Sequence, residues 1–155
     1  MSSNEIAAVS IREYQASDFP ALCALDRMCF PEGIAYTPPE IALGLTQPGA
    51  FTFVAEAEGR VVAFLMAYQK KTTLGHIVTI DVHPDFRQQN IGRKLMSLTE
   101  ERLQRRGAQR LVLEVSVQND PALRFYQKLG YRTKRLLAAY YHDRSDAYLM
   151  EKILS

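Results

Sequence analysis

Asp81-Val82-His83-Pro84-Asp85-Phe86-Arg87-Gln88-Gln89-Asn90-Ile91-Gly92-Arg93 is the stretch whose reading decides the fold. An apolar run at residues 77–82 enters a turn that contains proline. A short loop bearing Asn and Gly and flanked by arginine follows, and an amphipathic helix then begins. The first-turn N–H groups of a helix are unpaired donors at the positive end of its dipole, and they bind phosphate. Residues 87–92 therefore read as a seat for a phosphorylated cofactor.

Upstream of this stretch, residues 51–57 and 60–68 are two strands around Glu58-Gly59, a hairpin signal. Further back, residues 10–13 form a first short strand. Ser17 or Asp18 caps a helix that reaches about Cys29, with Leu22, Leu25 and Met28 or Cys29 at helical spacing. Phe30-Pro31-Glu32-Gly33 breaks that helix, and Thr37-Pro38-Pro39-Glu40 opens a second one, with proline tolerated early in the first turn. Downstream, the helix from Ile91 to about Arg106 turns Ile91, Leu95, Leu98 and Leu103 inward, and Gly107 stops it. Residues 111–117 are a strongly apolar strand. Asp120 then caps a helix with Pro121 at its first position, and Leu129-Gly130 closes it. Residues 131–137 and 147–153 are the last strands. The order β-α-α-β-β-β-α-β-α-β-β gives an α/β (α+β) domain, a mixed seven-stranded sheet with helices on both faces. No repeat or linker divides the 155 residues, so 1–155 read as one domain.

Composition narrows the function. No apolar run reaches 18 residues, which excludes an ordinary membrane helix. The start, Met1-Ser2-Ser3-Asn4-Glu5, lacks the basic and then apolar pattern of a signal peptide. Cys23 and Cys29 fit neither a disulfide framework nor a zinc site and read as small buried apolar residues, which suits the cytoplasm. Residues 1–59 hold 2 basic and 8 acidic side chains, a net of −6, and residues 60–155 hold 17 basic and 9 acidic, a net of +8. That asymmetry reflects solvated helix faces, or a basic part that holds an anionic cofactor and an acidic part that attracts a cationic substrate. The arginines lack interleaved aromatics, which argues against nucleic acid. His76, His83 and His142 lack metal-ligand spacing and read as surface or turn residues, so no metal is expected. Neither G-x-G-x-x-G nor a Walker lysine is present.

Glu114 is the clearest anomaly. It interrupts Leu111-Val112-Leu113-Glu114-Val115, a strand otherwise fit for burial on both faces, where a carboxylate is costly unless it is paired, wetted or used. Desolvation there suits a general base, and a structural glutamate bonded to backbone or arginine is the alternative. Tyr126 lies one and a half turns into the helix that starts at Pro121, where its phenol either protonates a leaving group or simply packs beside Phe125 and Leu129. Asn119, placed before the cap, has an amide free to bond a ligand or to stabilise the turn.

With these residues in place the chain resembles the GNAT superfamily of acyl-CoA-dependent N-acetyltransferases, and within it the RimI-like and archaeal Ard-type N-terminal protein acetyltransferases. The likeness covers residues 50–153 and, more loosely, the whole chain. The family's [Q/R]-x-x-G-x-[G/A] cofactor motif reads here Arg87-Gln88-Gln89-Asn90-Ile91-Gly92, with Asn90 in place of the first glycine; asparagine tolerates the left-handed backbone better than most residues. The segment Asn119-x-Pro-Ala-Leu-x-Phe-Tyr126-x-Lys-Leu-Gly-Tyr131 matches the family's Asn-x-x-Ala-x-x-x-Tyr-x-x-x-Gly-Phe/Tyr pattern.

The resemblance implies splayed parallel central strands and acetyl-CoA as co-substrate. It implies that Ile80, Asp81 and Val82 offer backbone groups to the pantetheine arm, that residues 87–92 with Arg93 hold the pyrophosphate, and that Asn119 bonds the pantetheine. It further implies that Glu114, in a Leu-Glu-Val motif, is the base and Tyr126, twelve residues on, the acid. Tyr140-Tyr141 and Asp146-Ala147-Tyr148-x-Met150 resemble the tail that shapes the slot for a substrate's first residue, with Tyr36 on the opposite loop. The implied acceptor is the N-terminal α-amino group of a protein, taken by a monomer or homodimer. Small amines such as polyamines, amino acids or aminoglycosides are the alternative acceptors, and a catalytically weak acyl-CoA sensor is an alternative of another class. Departures from the pattern are Asp81, where a small or apolar residue is usual, Ser116-Val117-Gln118 in place of Arg-x-Ser, and the absence of tryptophan from residues 30–36.

Overall fold

A computed structural model describes residues 8–154; the Met1-Ser2-Ser3-Asn4-Glu5 start lies outside them. The chain runs β1 (Val9–Glu13), α1 (Phe19–Cys29), α2 (Pro38–Thr46), β2 (Ala50–Ala57), β3 (Arg60–Lys71), β4 (Leu74–Val82), α3 (Ile91–Arg105), β5 (Arg110–Ser116), α4 (Asp120–Lys128), β6 (Arg132–Leu137) and β7 (Ala147–Ile153), with short 3-10 turns before α1 and after β4. This is the element order expected from the sequence, and the strands form one seven-stranded sheet in the order β1-β2-β3-β4-β5-β7-β6. Glu58 and Gly59 both take positive φ, as a two-residue hairpin turn between right-twisted strands requires.

Two apolar layers cover the sheet. On one face Ile91, Leu95, Met96 and Leu103 of α3 and Tyr126 of α4 pack on Phe53, Leu65, Ile77, Leu111 and Leu113. On the other, Leu22, Cys23 and Leu25 of α1 and Ile41 of α2 pack on Val54, Phe64 and Met66. The inward stripe of α3 differs from expectation. Leu98 is 37% exposed, while Met96 and Thr99 are buried in its place. The helix has rolled so that its stripe runs through residues 91, 95, 96, 99 and 103, and the long side chain of Leu98 lies along its flank.

One helix start falls where expected but is capped differently, and another differs by a residue. Asp18 stands at the cap position of α1, but its carboxylate bonds Arg12 at 2.8 and 2.9 Å and the Gln15 N–H instead of a helix donor. In α4 the cap is Asn119, whose Oδ1 accepts from Ala122 N at 3.2 Å, so Asp120 and Pro121 fall inside the first turn. Both Asn and Asp cap well, and Asn119 has the non-helical backbone a cap needs, with φ −92° and ψ 75°.

The central pairing positions the site. Among the described residues β4 and β5 are the one parallel pair, and they meet only at Leu74–Arg110, Gly75–Leu111 and His76–Val112. Beyond that, β4 stays bonded to β3 and β5 to β7, and among the described residues the inner edges of β4 and β5 do not pair. Gly75 makes the junction possible, because a Cβ there would stand 2.5 Å from Leu111 Cδ2 and 2.7 Å from Leu103 Cδ1. Gly75→Ala is therefore expected to destabilise the fold by about 1–3 kcal/mol through overpacking, measured by denaturant unfolding.

Candidate active site

The fork between β4 and β5 opens where His76 and Glu114 stand. His76 is the last β4 residue to pair with β5, and Glu114 lies two residues past its partner Val112. Their side chains span the opening, with Nε2 of His76 2.7 Å from Oε1 of Glu114. A carboxylate only accepts, so Nε2 carries a hydrogen toward Glu114, and Nδ1 is buried without a partner. The expectation that His76 is a surface or turn residue is thus corrected: it is a strand residue, 17% exposed, facing a glutamate that is 14% exposed.

Tyrosines surround this pair. Tyr140, Tyr36, Tyr68 and Tyr141 all lie within the field of Glu114. The Tyr68 ring meets His76 edge-on at 5.1 Å, and Tyr140 meets Tyr141 likewise at 5.0 Å. Burial first, and then neighbours that include the Glu114 carboxylate, push all four phenols upward. They remain neutral near neutral pH and surround Glu114 with phenol hydroxyls. Two loops bring the tyrosines here. Tyr36 follows α1 and sends its hydroxyl to Val78 O at 3.4 Å. Tyr140 and Tyr141 lie between β6 and β7, on a loop whose Asp143 N donates to Gly33 O.

Residues 87–90 form a loop at the start of α3, exposed except at Gln89. Gln88 and Asn90 both have φ of 63°. Asn90 caps α3 from the left-handed region without using its side chain, as its tolerance of that region allows. Its carbonyl accepts from Lys94, and the N–H groups of Ile91, Gly92 and Arg93 belong to the turn with no intrahelical acceptor. Gly92 lets this turn lie close to α4, since a Cβ would come 3.2 Å from Phe125 Cζ and 3.7 Å from Ile80 Cδ1. Gln89 Oε1 is buried with no donor. An open strand edge leading to a helix start with free donors fits a ligand that carries a diphosphate at one end and an amide-bearing arm at the other.

Other sequence-selected residues are placed less freely than expected. The Val82 carbonyl already accepts from Arg87 Nε at 3.0 Å and from the Cys29 thiol at 3.4 Å, so Arg87 leans on the strand end. Cys29 is half-buried and is not a simple apolar filler; burial first, and Asp81 next, push its thiol up to about 11. Asn119 keeps only its amide nitrogen for a ligand, because its oxygen caps α4. Asp81 is buried, accepts from Thr79 Oγ1 and lies against Asp26 of α1. Tyr126 is buried on the α4 wall between Phe125 and Tyr131, with ring centroids 5.3 and 5.9 Å away. Burial, and then Asp81 and Tyr141, push its phenol upward. The fold thus gathers Glu114, Tyr36, Tyr140 and Tyr141 at one mouth of the fork and the 87–93 loop at the other, with Tyr126 on the wall.

His76 and Tyr68 are the members that sequence reasoning missed. The usable signal was a histidine in an apolar strand, two residues before the Val78 bulge at which the β3–β4 register shifts. Among the described residues no group of three or more His, Cys, Asp or Glu could hold a metal ion, and no helix is long and apolar enough to cross a membrane.

Known proteins share both the pattern and the shape. An N-alpha-acetyltransferase of Sulfurisphaera tokodaii is 32% identical over 152 residues, covering 90% of each chain. The Ard1 crystal structure from Thermoplasma volcanium superposes with a TM-score of 0.88 at 28% identity, over 96% of this chain and 99% of that one. The ribosomal-protein-S18-alanine N-acetyltransferase of Escherichia coli has the same fold, with a TM-score of 0.83 at 24% identity over 96% and 95% of the two chains. Residues 10–131 match the acetyltransferase (GNAT) family, and the chain, with its forked sheet and its donor-rich helix start, belongs to that family of acetyltransferases.

Proposed function

We propose that this protein, acting as a single domain, transfers acetyl from acetyl-CoA to the N-terminal α-amino group of a protein. The observation that carries this reading is the Glu114–His76 pair, set at the fork and ringed by tyrosines from two loops. Relatives named as N-alpha-acetyltransferases support the choice of acceptor.

Acetyl-CoA supplies the thioester whose acyl group moves. Ile80, Asp81 and Val82 would hold its arm through backbone groups, and Gln88 to Arg93 its diphosphate through main-chain donors, with Arg87 and the Asn119 amide beside them. Glu114, oriented by His76, takes the proton from the incoming ammonium, directly or through a water. An α-amino group with a pKa of ~8 needs far less help than a lysine at ~10.4, which suits one carboxylate working near neutral pH. Backbone N–H groups of β4 stabilise charge that develops on the carbonyl oxygen. Tyr126 donates to the departing thiolate. Tyr36, Tyr140 and Tyr141 line the slot for the acceptor's first residue, with aromatic walls around one polar end.

A panel of peptides and free amines with acetyl-CoA tests the acceptor. Peptides that begin with Ala, Ser or Met are expected to exceed polyamines, free amino acids and aminoglycosides by about tenfold or more in kcat/KM, roughly 1.4 kcal/mol of transition-state preference. A preference for small amines overturns the protein acceptor. Tight coenzyme binding with no acetyl product from any amine overturns catalysis itself.

A further inference from the structure

Asp26 of α1 and Asp81 of β4 meet in the layer between helix and sheet, 0% and 1% exposed. Asp26 Oδ2 accepts from the Tyr36 backbone N–H at 2.6 Å, and Asp81 Oδ1 accepts from Thr79 Oγ1 at 2.7 Å. Their other oxygens, Asp26 Oδ1 and Asp81 Oδ2, are buried with no hydrogen-bond donor, and the two carboxyl groups lie against each other. Two carboxylates are acceptors only, so that contact needs one proton between them.

The surroundings favour keeping that proton. Arg87 is the cation that acts on Asp81, but its Nε bonds the Val82 carbonyl. Glu40 adds negative field at Asp26, while Cys29, Tyr36 and Tyr126 are neutral groups held protonated. Burial first, and then Asp26, raise Asp81 well above the usual carboxylate range against Thr79 and Arg87. Burial also raises Asp26, opposed by Asp81 and by its bond to the Tyr36 N–H.

We propose that Asp26 and Asp81 share one proton, and that this proton ties the loop carrying Tyr36 to β4, which makes Asp26 a positioning residue for the acceptor slot. The tie to acceptor binding rests on the function proposed above; the shared proton does not. Tyr36 takes its place because its own N–H is anchored on Asp26, and Asp26 is anchored on the strand that forms one arm of the fork. The Cys29–Val82 contact closes the same junction one helical turn later. A group whose pKa is raised by folding stabilises the native state at low pH and loses that contribution as pH rises through the raised value. Loss of the proton leaves two buried like charges in contact, so the loop parts from β4 and the acceptor slot loosens.

The test compares the wild-type protein with Asp26→Asn and Asp26→Ala. The readouts are NMR exchange of the Tyr36 amide hydrogen without ligands, the infrared carbonyl band of a protonated carboxylic acid, and peptide kinetics. The asparagine amide can donate to Asp81 while its oxygen accepts from Tyr36, so it replaces the proton with a fixed hydrogen. In the wild type, Tyr36 protection should fall as pH rises. In Asp26→Asn protection should persist without that fall and the acid band should vanish. In Asp26→Ala protection should be low at every pH, and acceptor KM should rise about tenfold, more than kcat falls. Equal Tyr36 protection in the wild type and Asp26→Ala, or a wild-type spectrum with no acid band that Asp26→Asn removes, overturns the proposal. Should Asp26→Ala fail to fold, the pH profile of Asp26→Asn decides, and a profile that falls like the wild type's overturns it. Exchange and infrared need no acceptor, so peptides that fail as substrates overturn the proposed function, while Tyr36 protection and the acid band still decide the shared proton.

Discussion

Glu114→Gln is expected to lower kcat by about 10²-fold or more while the Kd for acetyl-CoA stays close to wild type. The substitution isolates one property. Glutamine keeps the length of the side chain, and its Oε1 can still accept from the Nε2–H of His76, which stands 2.7 Å from the carboxylate. The tyrosines around position 114 are neutral, so an amide there meets the same uncharged hydroxyls as the carboxylate. What is lost is the capacity to take a proton, so the effect should fall on turnover. Steady-state kinetics beside calorimetric titration of acetyl-CoA would measure it, and wild-type turnover would remove Glu114 from the mechanism. A parallel loss in His76→Ala, with no further loss in the double variant, would mark the two side chains as one catalytic unit.

Tyr126→Phe carries the second large effect, a fall in kcat of roughly 10²-fold with acetyl-CoA binding again nearly unchanged. Phenylalanine fills the same space between Phe125 and Tyr131, so packing is kept and only the hydroxyl goes. The direction of the phenol's shift refines the role. Burial, Asp81 and Tyr141 raise it above its ordinary value of 10, whereas a thiol sits near 8.5. Complete transfer of the Tyr126 proton to a thiolate is then uphill. The hydroxyl works by hydrogen-bonding the charge as it forms, and the proton released from the amine can finally neutralise it. Unchanged turnover in Tyr126→Phe would assign the residue to packing alone.

Parts of this architecture were readable from sequence because they rest on local rules. The hairpin at Glu58-Gly59, the helix that starts after Asn90 and the stop at Gly107 each follow from a few adjacent residues and appear where the sequence puts them. Capping failed by one position at Asn119 because two good caps stand side by side, and only the local backbone chooses between them. Leu98 was misplaced because apolar spacing defines a stripe to within a residue or so, and packing decides how the helix rolls. Glu114 drew notice through a conflict between its charge and its strand. His76 and Asp26 carried no such signal, because their partners come from distant segments. A histidine in β4 becomes a neighbour of Glu114 only through the three-residue register with β5. Asp81 looked like an oddity in a cofactor motif until the fold placed α1 beneath it.

The brevity of that β4–β5 register has a further consequence. Strands β1 to β4 and strands β5 to β7 are joined inside the sheet by only three rungs, so the sheet is mended along most of its seam by whatever fills the gap. On the proposed reading that filler is a metabolite, and ligand that binds only the folded state stabilises it by about 2.7 kcal/mol at a hundred times its Kd. The abundance of the protein would then follow the cell's coenzyme supply, with starved molecules opening along the seam and being cleared first.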